Sequence, residues 1–341
     1  MNTVENFSAD ELAGQRMMIG FEGTSCDSKI RERLKKNRPA GIIFFRNNIE
    51  NPRQLGELLA EIREEARTAG LPGLIFAIDQ EGGPVARLRA PHFREFPGIA
   101  ELENETQATE HAAAMAEELK TLGIHMNMAP VLDICHDFEH SIMRSRAFPG
   151  DAFHVSQMGV AMISEYETRD IASVAKHFPG IGHTLLDSHH ELPHFDKDYE
   201  TLEKRELVPF RAAIQAGVPG IMLSHILYEK LDKNWPASLS TVIARDLLRK
   251  RLGFQGVSMT DDLDMKAIGE SMAVAMERIV DAEIDLALIC HESPAIDEAF
   301  FHLKKLAEDP VKRENFIRSA SRILQLKERF SADFPAKVPA T

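Results

Sequence analysis

Residues 172–193 read ASVAKHFPGIGHTLLDSHHELP. The run Ala172 to Phe178 reads as a strand buried on both faces, with Lys176 and His177 at its C-terminal end. Pro179, Gly180 and Gly182 then break the regular structure. A loop of about ten residues follows, carrying Asp187, His189 and His190; loops this long in a compact domain are either functional or disordered. Pro179 and Pro193 stiffen its ends, and Leu185, Leu186 and Leu192 offer anchors, which favours function. On this view the loop carries a titratable side chain into a pocket.

The same unit, a strand-like apolar run followed by a loop and an amphipathic helix, recurs along the chain. The other runs are Met17 to Phe21, Ala40 to Phe45, Gly73 to Ile78, Ile124 to Ile134, Gly220 to Ile226, Gly256 to Thr260 and Asp285 to Cys290. Helix signals lie between them. Ser8 and Glu11 form a capping box; Asn51 caps a helix with Pro52 at its first position, and Gly70 ends it. Further helices are expected through Ala112–Leu122, Phe153–Arg169 and Thr201–Gln215, after Ser240, and after the caps at Ser293-Pro294 and Asp309-Pro310. Continuous apolar strands alternating with helices imply a parallel sheet covered on both faces. Eight such units in roughly 250 residues or more fit a TIM-like (β/α)8 barrel of the α/β class.

Polar residues decide between that barrel and an open sheet. Asp79, Asp133, Lys176-His177, Ser224-His225 and Asp261 all sit at the C-terminal ends of runs. A closed barrel brings those ends to one mouth, whereas an open sheet spreads them along an edge. Without a Pro-, Gly- or Ser-rich linker, residues 1–341 are expected to form a single domain, with its core at about 10–330.

The chain is 44% hydrophobic and 27% charged, as a soluble enzyme is, and its net charge of -13 with no basic run argues against a nucleic-acid partner. The start, MNTVENFSADELAG, lacks the basic and apolar regions of a secretory signal, and no apolar stretch suits a membrane span. Cys26, Cys135 and Cys290 are odd in number and far apart, as reduced thiols are. Together these features point to a cytoplasmic protein with no membrane partner, and a monomer is expected.

Asp261 and Asp262 are adjacent carboxylates after a buried run, which is costly unless they are paired or used. One of them, Asp262 before Asp261, could instead cap a helix starting near Asp264. Asp261 is the candidate nucleophile or charge stabiliser. Asp187 and His189 are two apart, so the carboxylate can orient the imidazole as an acid/base; an ordinary solvated loop is as good a reading of that pair alone. Lys176 and His177 could grip substrate hydroxyls, and Asp79 could accept two hydroxyl hydrogen bonds. Arg87 and Arg146 read alone as surface residues. His136, Asp137, Glu139 and His140, and likewise His183, His189, His190 and His194, lack metal-site spacing, so neither a metal nor any other cofactor is expected.

Taken together, these residues resemble glycoside hydrolase family 3, and most closely its single-domain bacterial β-N-acetylglucosaminidases. The similarity rests on GIIFFRNNIENPRQL (41–55), AIDQEGGPVARL (77–88), NMAPVLDI (127–134), RAFPGD (146–151), KHFPGIGHTLLDSHHELP (176–193), PFRAAIQAGVPGIMLSHI (209–226), PASLS (236–240) and GFQGVSMTDDLDM (253–265). The resemblance implies a TIM-like barrel and a retaining mechanism in which Asp261 is the nucleophile and His189, backed by Asp187, is the acid/base. It places Asp79, Arg87, Arg146, Lys176 and His177 around the sugar. A small GlcNAc-containing glycoside, supplied by cell-wall recycling, is the implied substrate. The chain departs from the family pattern at Ile181 and His183 in the glycine loop and at Pro84. Two alternatives stand beside this reading: a β-glucosidase or glycoside phosphorylase on the same barrel, and a sugar-binding barrel with impaired turnover.

Overall fold

In a computed structural model, residues 4–135, 141, 143–182, 194–195, 198–264 and 270–331 are described. Eight strands close into an all-parallel barrel: β1 Met17–Ile19, β2 Gly41–Phe44, β3 Ile75–Ile78, β4 Met126–Asn127, β5 Ala172–Phe178, β6 Gly220–Leu223, β7 Val257–Asp262 and β8 Leu286–Ile289. They pair in chain order, and β8 closes the ring against β1 with Met17 opposite Ala287 and Ile19 opposite Ile289. All eight runs expected from the sequence are therefore strands of one barrel.

Period-2 alternation splits the core in two. Met18, Ile43, Ile75, Ala77, Met126, Val174, Met222, Met259 and Leu288 fill the inside of the barrel. The alternate residues, such as Met17, Ile42, Phe76, Ala175 and Ile221, join the helices in a larger outer layer. The last helix, Pro310–Ser331, contributes Ile323, Leu326 and Phe330 to the inner cluster, and so plugs the barrel at the N-terminal ends of the strands.

Local signals act as expected at most helix ends. Ser8 and Glu11 form a reciprocal capping box, Asn51 accepts from the Gln54 amide, and Ser240 accepts from the Ile243 amide. Three expectations need correction. Thr201–Gln215 is two helices, Tyr199–Lys204 and Leu207–Gln215, because Pro209 has no N–H for the Arg205 carbonyl and its ring crowds that carbonyl. The run Ile124 to Ile134 is a strand only at Met126–Asn127, since Pro130 cannot donate to a ladder. Ala295–Glu308 begins without a side-chain cap from Ser293. Among the described residues the first helix after β7 is Met272–Asp281, capped by Ser271; residues 265–269, where a helix starting near Asp264 would run, lie outside the described residues.

A short parallel pair, His194–Phe195 with Leu227–Tyr228, stands outside the barrel. No helix among the described residues is long and apolar enough to cross a membrane.

Candidate active site

The mouth is built from the residues that follow the strands. After β3 the chain runs Asp79-Gln80-Glu81 and turns through Gly82 and Gly83, at φ of 97° and 54°. A side chain at Gly82 would put its Cβ 2.2 Å from the Pro97 carbonyl, so only glycine lets the turn pass there. Buried Gln80 accepts from the amides of Arg87 (2.7 Å) and Leu88 (3.1 Å), which folds the segment back on itself. Arg87 then reaches Asp79 at 3.4 Å and lies 5.1 Å from the centroid of the Phe45 ring. It is not the surface residue its sequence context suggests.

Lys176, at the end of β5, is almost fully buried between two carboxylates: its Nζ is 2.8 Å from Asp79 Oδ1 and 2.7 Å from Glu81 Oε1. Arg146 holds the same Glu81 with two parallel bonds, from Nε at 2.9 Å and Nη2 at 2.7 Å. Burial opposes ionisation of Glu81, but Lys176 and Arg146 outweigh it and hold the carboxyl far below its usual range. Burial also opposes the charge on Lys176, and Asp79 and Glu81 raise its pKa in spite of it. Asp79, Arg87, Arg146 and Lys176 thus form one network, and Glu81 is the hub that sequence reading left unassigned.

His177, joined to Lys176 by a cis peptide bond, donates Nδ1–H to Asp133 Oδ2 at 2.7 Å. Asp133 is fully buried and also accepts from the backbone amides of His177 and, at 2.8 Å, Ile181. Its carboxylate fixes the imidazole tautomer and leaves Nε2 for other partners. Asp133 was visible in the sequence only as a strand-end acid. Ile181 is buried in the outer core, so at this departure from the family pattern the side chain serves packing while its amide serves Asp133. Pro84 is exposed, and its carbonyl accepts from Arg89.

Asp261 lies near the end of β7, partly exposed at the mouth. Among the described residues, the only hydrogen bond its carboxylate accepts is from the Asp262 amide, at 2.8 Å. Burial would raise its pKa; His177, the Asp262 amide and Lys176 act against this, and the carboxyl is held below its usual value, so it is ionised at neutral pH. Asp262 is occupied differently. Its Oδ1 accepts from the amides of Asp264 and Cys290, both at 3.1 Å, so it holds the turn. The structure separates the adjacent pair into an available carboxylate and a structural one.

Asp187 and His189 lie outside the described residues, as do His183 and His190. The same holds for His136, Asp137, Glu139 and His140, and the side chain of His194 is likewise not described. Five of the expected sugar-side residues and Asp261 are therefore placed together. No group of three or more metal-ligating side chains occurs among the described residues.

An ionised carboxylate in a mouth lined by buried, charge-balanced hydrogen-bonding groups suits a barrel enzyme that acts on a polar substrate. Comparison with known proteins agrees. Residues 8–326 match the Glycosyl hydrolase family 3 N terminal domain. The chain is 33% identical over 298 residues to a β-hexosaminidase of Nitrosomonas eutropha, covering 84% of each chain, and 33% identical over 303 residues to that of Pseudomonas aeruginosa, covering 87% of this chain and 89% of the relative. It superposes on a family 3 β-N-acetylglucosaminidase from Paenibacillus sp. with a TM-score of 0.93 at 33% identity, over 98% of this chain but 65% of that one. NagZ from Neisseria gonorrhoeae aligns with a TM-score of 0.75 at 25% identity, over 91% and 97% of the two chains. The chain belongs to glycoside hydrolase family 3, and it is a glycoside hydrolase related to the β-hexosaminidases.

Proposed function

We propose that this protein is a retaining exo-β-N-acetylglucosaminidase that removes terminal, non-reducing β-linked GlcNAc. In the first step an Asp261 carboxylate oxygen attacks the anomeric carbon while the bond to the leaving oxygen breaks and His189 donates its proton to that oxygen. In the second, His189 takes a proton from water, the water oxygen attacks the anomeric carbon, and Asp261 is released. Asp187 orients His189 and stabilises its cationic form. Retaining enzymes need the two groups within about 5 Å across the scissile bond. An imidazole partner spares Asp261 the repulsion of a second carboxylate.

The observation that carries this reading is the state of Asp261: ionised, at the mouth, with one oxygen steadied by an amide and the carboxylate otherwise unengaged among the described residues. Asp79 and Lys176, with Arg87, Arg146 and His177 beside them, suit neighbouring sugar hydroxyls, because a carboxylate and an ammonium together can accept and donate to a vicinal pair. The β-hexosaminidase names of the relatives favour GlcNAc over glucose.

The remaining elements are proposals of the same kind: one catalytic domain with its core at about residues 10–330, a monomeric enzyme, and cytoplasmic work on peptidoglycan fragments.

A panel of chromogenic β-GlcNAc and β-Glc substrates, with and without phosphate, on wild type and Asp261→Ala tests the proposal. Hydrolysis of β-GlcNAc that vanishes in the variant supports it. Preference for β-Glc or dependence on phosphate contradicts the substrate or the acceptor, and sugar binding without turnover contradicts the enzyme.

A further inference from the structure

His225 and Ser238 are buried, and both sit in segments that the proposed chemistry leaves without a role. The turn Pro236–Ser240 lies along the exit of β6: the Ala237 amide donates to the Ile226 carbonyl at 2.9 Å and the Ser238 amide to the Ser224 carbonyl at 3.0 Å. This brings Ser238 Oγ to 2.6 Å from His225 Nδ1. On the other side of the ring, Nε2 is 3.0 Å from the backbone carbonyl of Asp262.

A carbonyl only accepts, so Nε2 must carry a hydrogen. Burial lowers the pKa of this imidazole, against the raising effect of Asp261 and Asp262, so the ring is neutral at pH 7 and Nδ1 is a lone pair. The Ser238 hydroxyl therefore donates to Nδ1, and the tautomer is fixed from both sides. The next contacts lead to the site: the Asp262 amide donates to Asp261 Oδ1, and the Asp262 carboxylate is tied to the amides of Asp264 and Cys290. The turn that carries Asp261 is thus held from β8 through Cys290 and from β6 through His225.

We infer that His225, set in one tautomer by Ser238, is a positioning residue for the nucleophile: it anchors the Asp262 carbonyl and so fixes the direction from which the Asp261 carboxylate meets the anomeric carbon. This rests on the assignment of Asp261 as nucleophile. Misplacing a reacting group by 1 Å costs on the order of 100-fold in rate, which is why a buried hydrogen-bond chain behind a carboxylate matters to chemistry as well as to folding.

The test uses the full chain and 5-fluoro-N-acetylglucosaminyl fluoride. Its fluoride leaves without needing a proton, so labelling of Asp261 reports the nucleophile and not the acid/base. The labelling rate is followed by intact mass spectrometry for wild type, His225→Leu, His225→Gln and Ser238→Ala. The Leu variant should label, and turn over substrate, roughly 10- to 100-fold more slowly with KM unchanged, and Ser238→Ala roughly tenfold more slowly. Gln, whose side-chain amide can donate to the Asp262 carbonyl, should recover most of the loss. Wild-type labelling rates in both Leu and Ala variants, with only the melting temperature lowered, would overturn the inference. Should His225→Leu not fold, Ser238→Ala labelling at the wild-type rate overturns it alone, and slow labelling there with near-wild-type His225→Gln supports it. A wild type that is never labelled on Asp261 contradicts the nucleophile assignment itself.

Discussion

Both ends of the barrel bury charge, and they do so differently. At the N-terminal ends of the strands, Asp285 is fully buried, just before β8. It accepts from Arg322 through Nε and Nη2, at 3.1 and 2.7 Å, from Arg249 Nη2, and from the Ser258 amide at 3.0 Å. Both of its oxygens are taken by the protein. At the mouth, Asp79, Glu81 and Asp133 are held in the same manner, but Asp261 is not. The base uses a saturated carboxylate to lock the last helix and the helix before β7 onto the barrel. Among the described residues, the mouth saturates its supporting carboxylates and leaves Asp261 ionised and available. Burial and charge alone do not mark a functional acid; the number of protein donors already on its oxygens does.

The largest effect should follow from removing the available carboxylate. Asp261→Asn should lower kcat/KM by roughly 10⁴-fold or more, with a melting temperature at or above wild type, since among the described residues only the Asp262 amide donates to this carboxylate and an Asn oxygen can still accept from it. Thermal denaturation beside steady-state kinetics checks both halves, and a large fall in stability would place Asp261 with the structural acids. Asp285→Asn should do the reverse: a loss of about 3 kcal/mol or more in denaturant unfolding, from two arginines left facing a neutral group, with kcat/KM per folded molecule unchanged. Lys176→Met should combine the two, costing about 3 kcal/mol and also turnover, because Asp79 and Glu81 lose their shared cation and Asp79 is a proposed sugar contact.

A smaller, pH-dependent effect belongs to the base alone. Lys327 is buried there with its amine against Gln15 Oε1 and the Gly73 carbonyl and, among the described residues, with no carboxylate partner, and burial pushes its pKa down to about 7. Between that value and the ordinary lysine value of 10.5 the unfolded chain binds a proton that the folded chain does not, so stability rises with pH across this window; below it both states are protonated and the contribution is flat. Lys327→Met should remove that rise, by a few kcal/mol in all, when unfolding free energies of variant and wild type are compared at pH 7 and pH 10. An unchanged slope would mean the amine stays charged in the fold.

The same contrast explains what could be read from the sequence. The eight strands were legible because each is a run with no solvent face, and the mouth because polar residues close those runs. Lys176, His177, Asp79 and Asp261 followed from position alone. Glu81 did not, since its partner Arg146 is 65 residues away and only barrel closure joins them. Asp133 and His225 read in the sequence only as strand-end residues, whereas their work lies in bonds to backbone groups of other segments, the amides of His177 and Ile181 and the carbonyl of Asp262. Asp262 looked equivalent to Asp261 until the fold showed which of them is tied to β8. The roles of Asp187 and His189 remain those that family resemblance implies.

The central claim, that Asp261 is the nucleophile of a retaining β-N-acetylglucosaminidase, is tested most directly by trapping the intermediate and mapping it. Wild-type protein treated with 5-fluoro-N-acetylglucosaminyl fluoride, digested and sequenced by mass spectrometry should carry one fluorosugar on the peptide containing Asp261. A sugar ester on Asp262, Asp79 or any other residue, or rapid turnover with no ester formed at any stage, would contradict it.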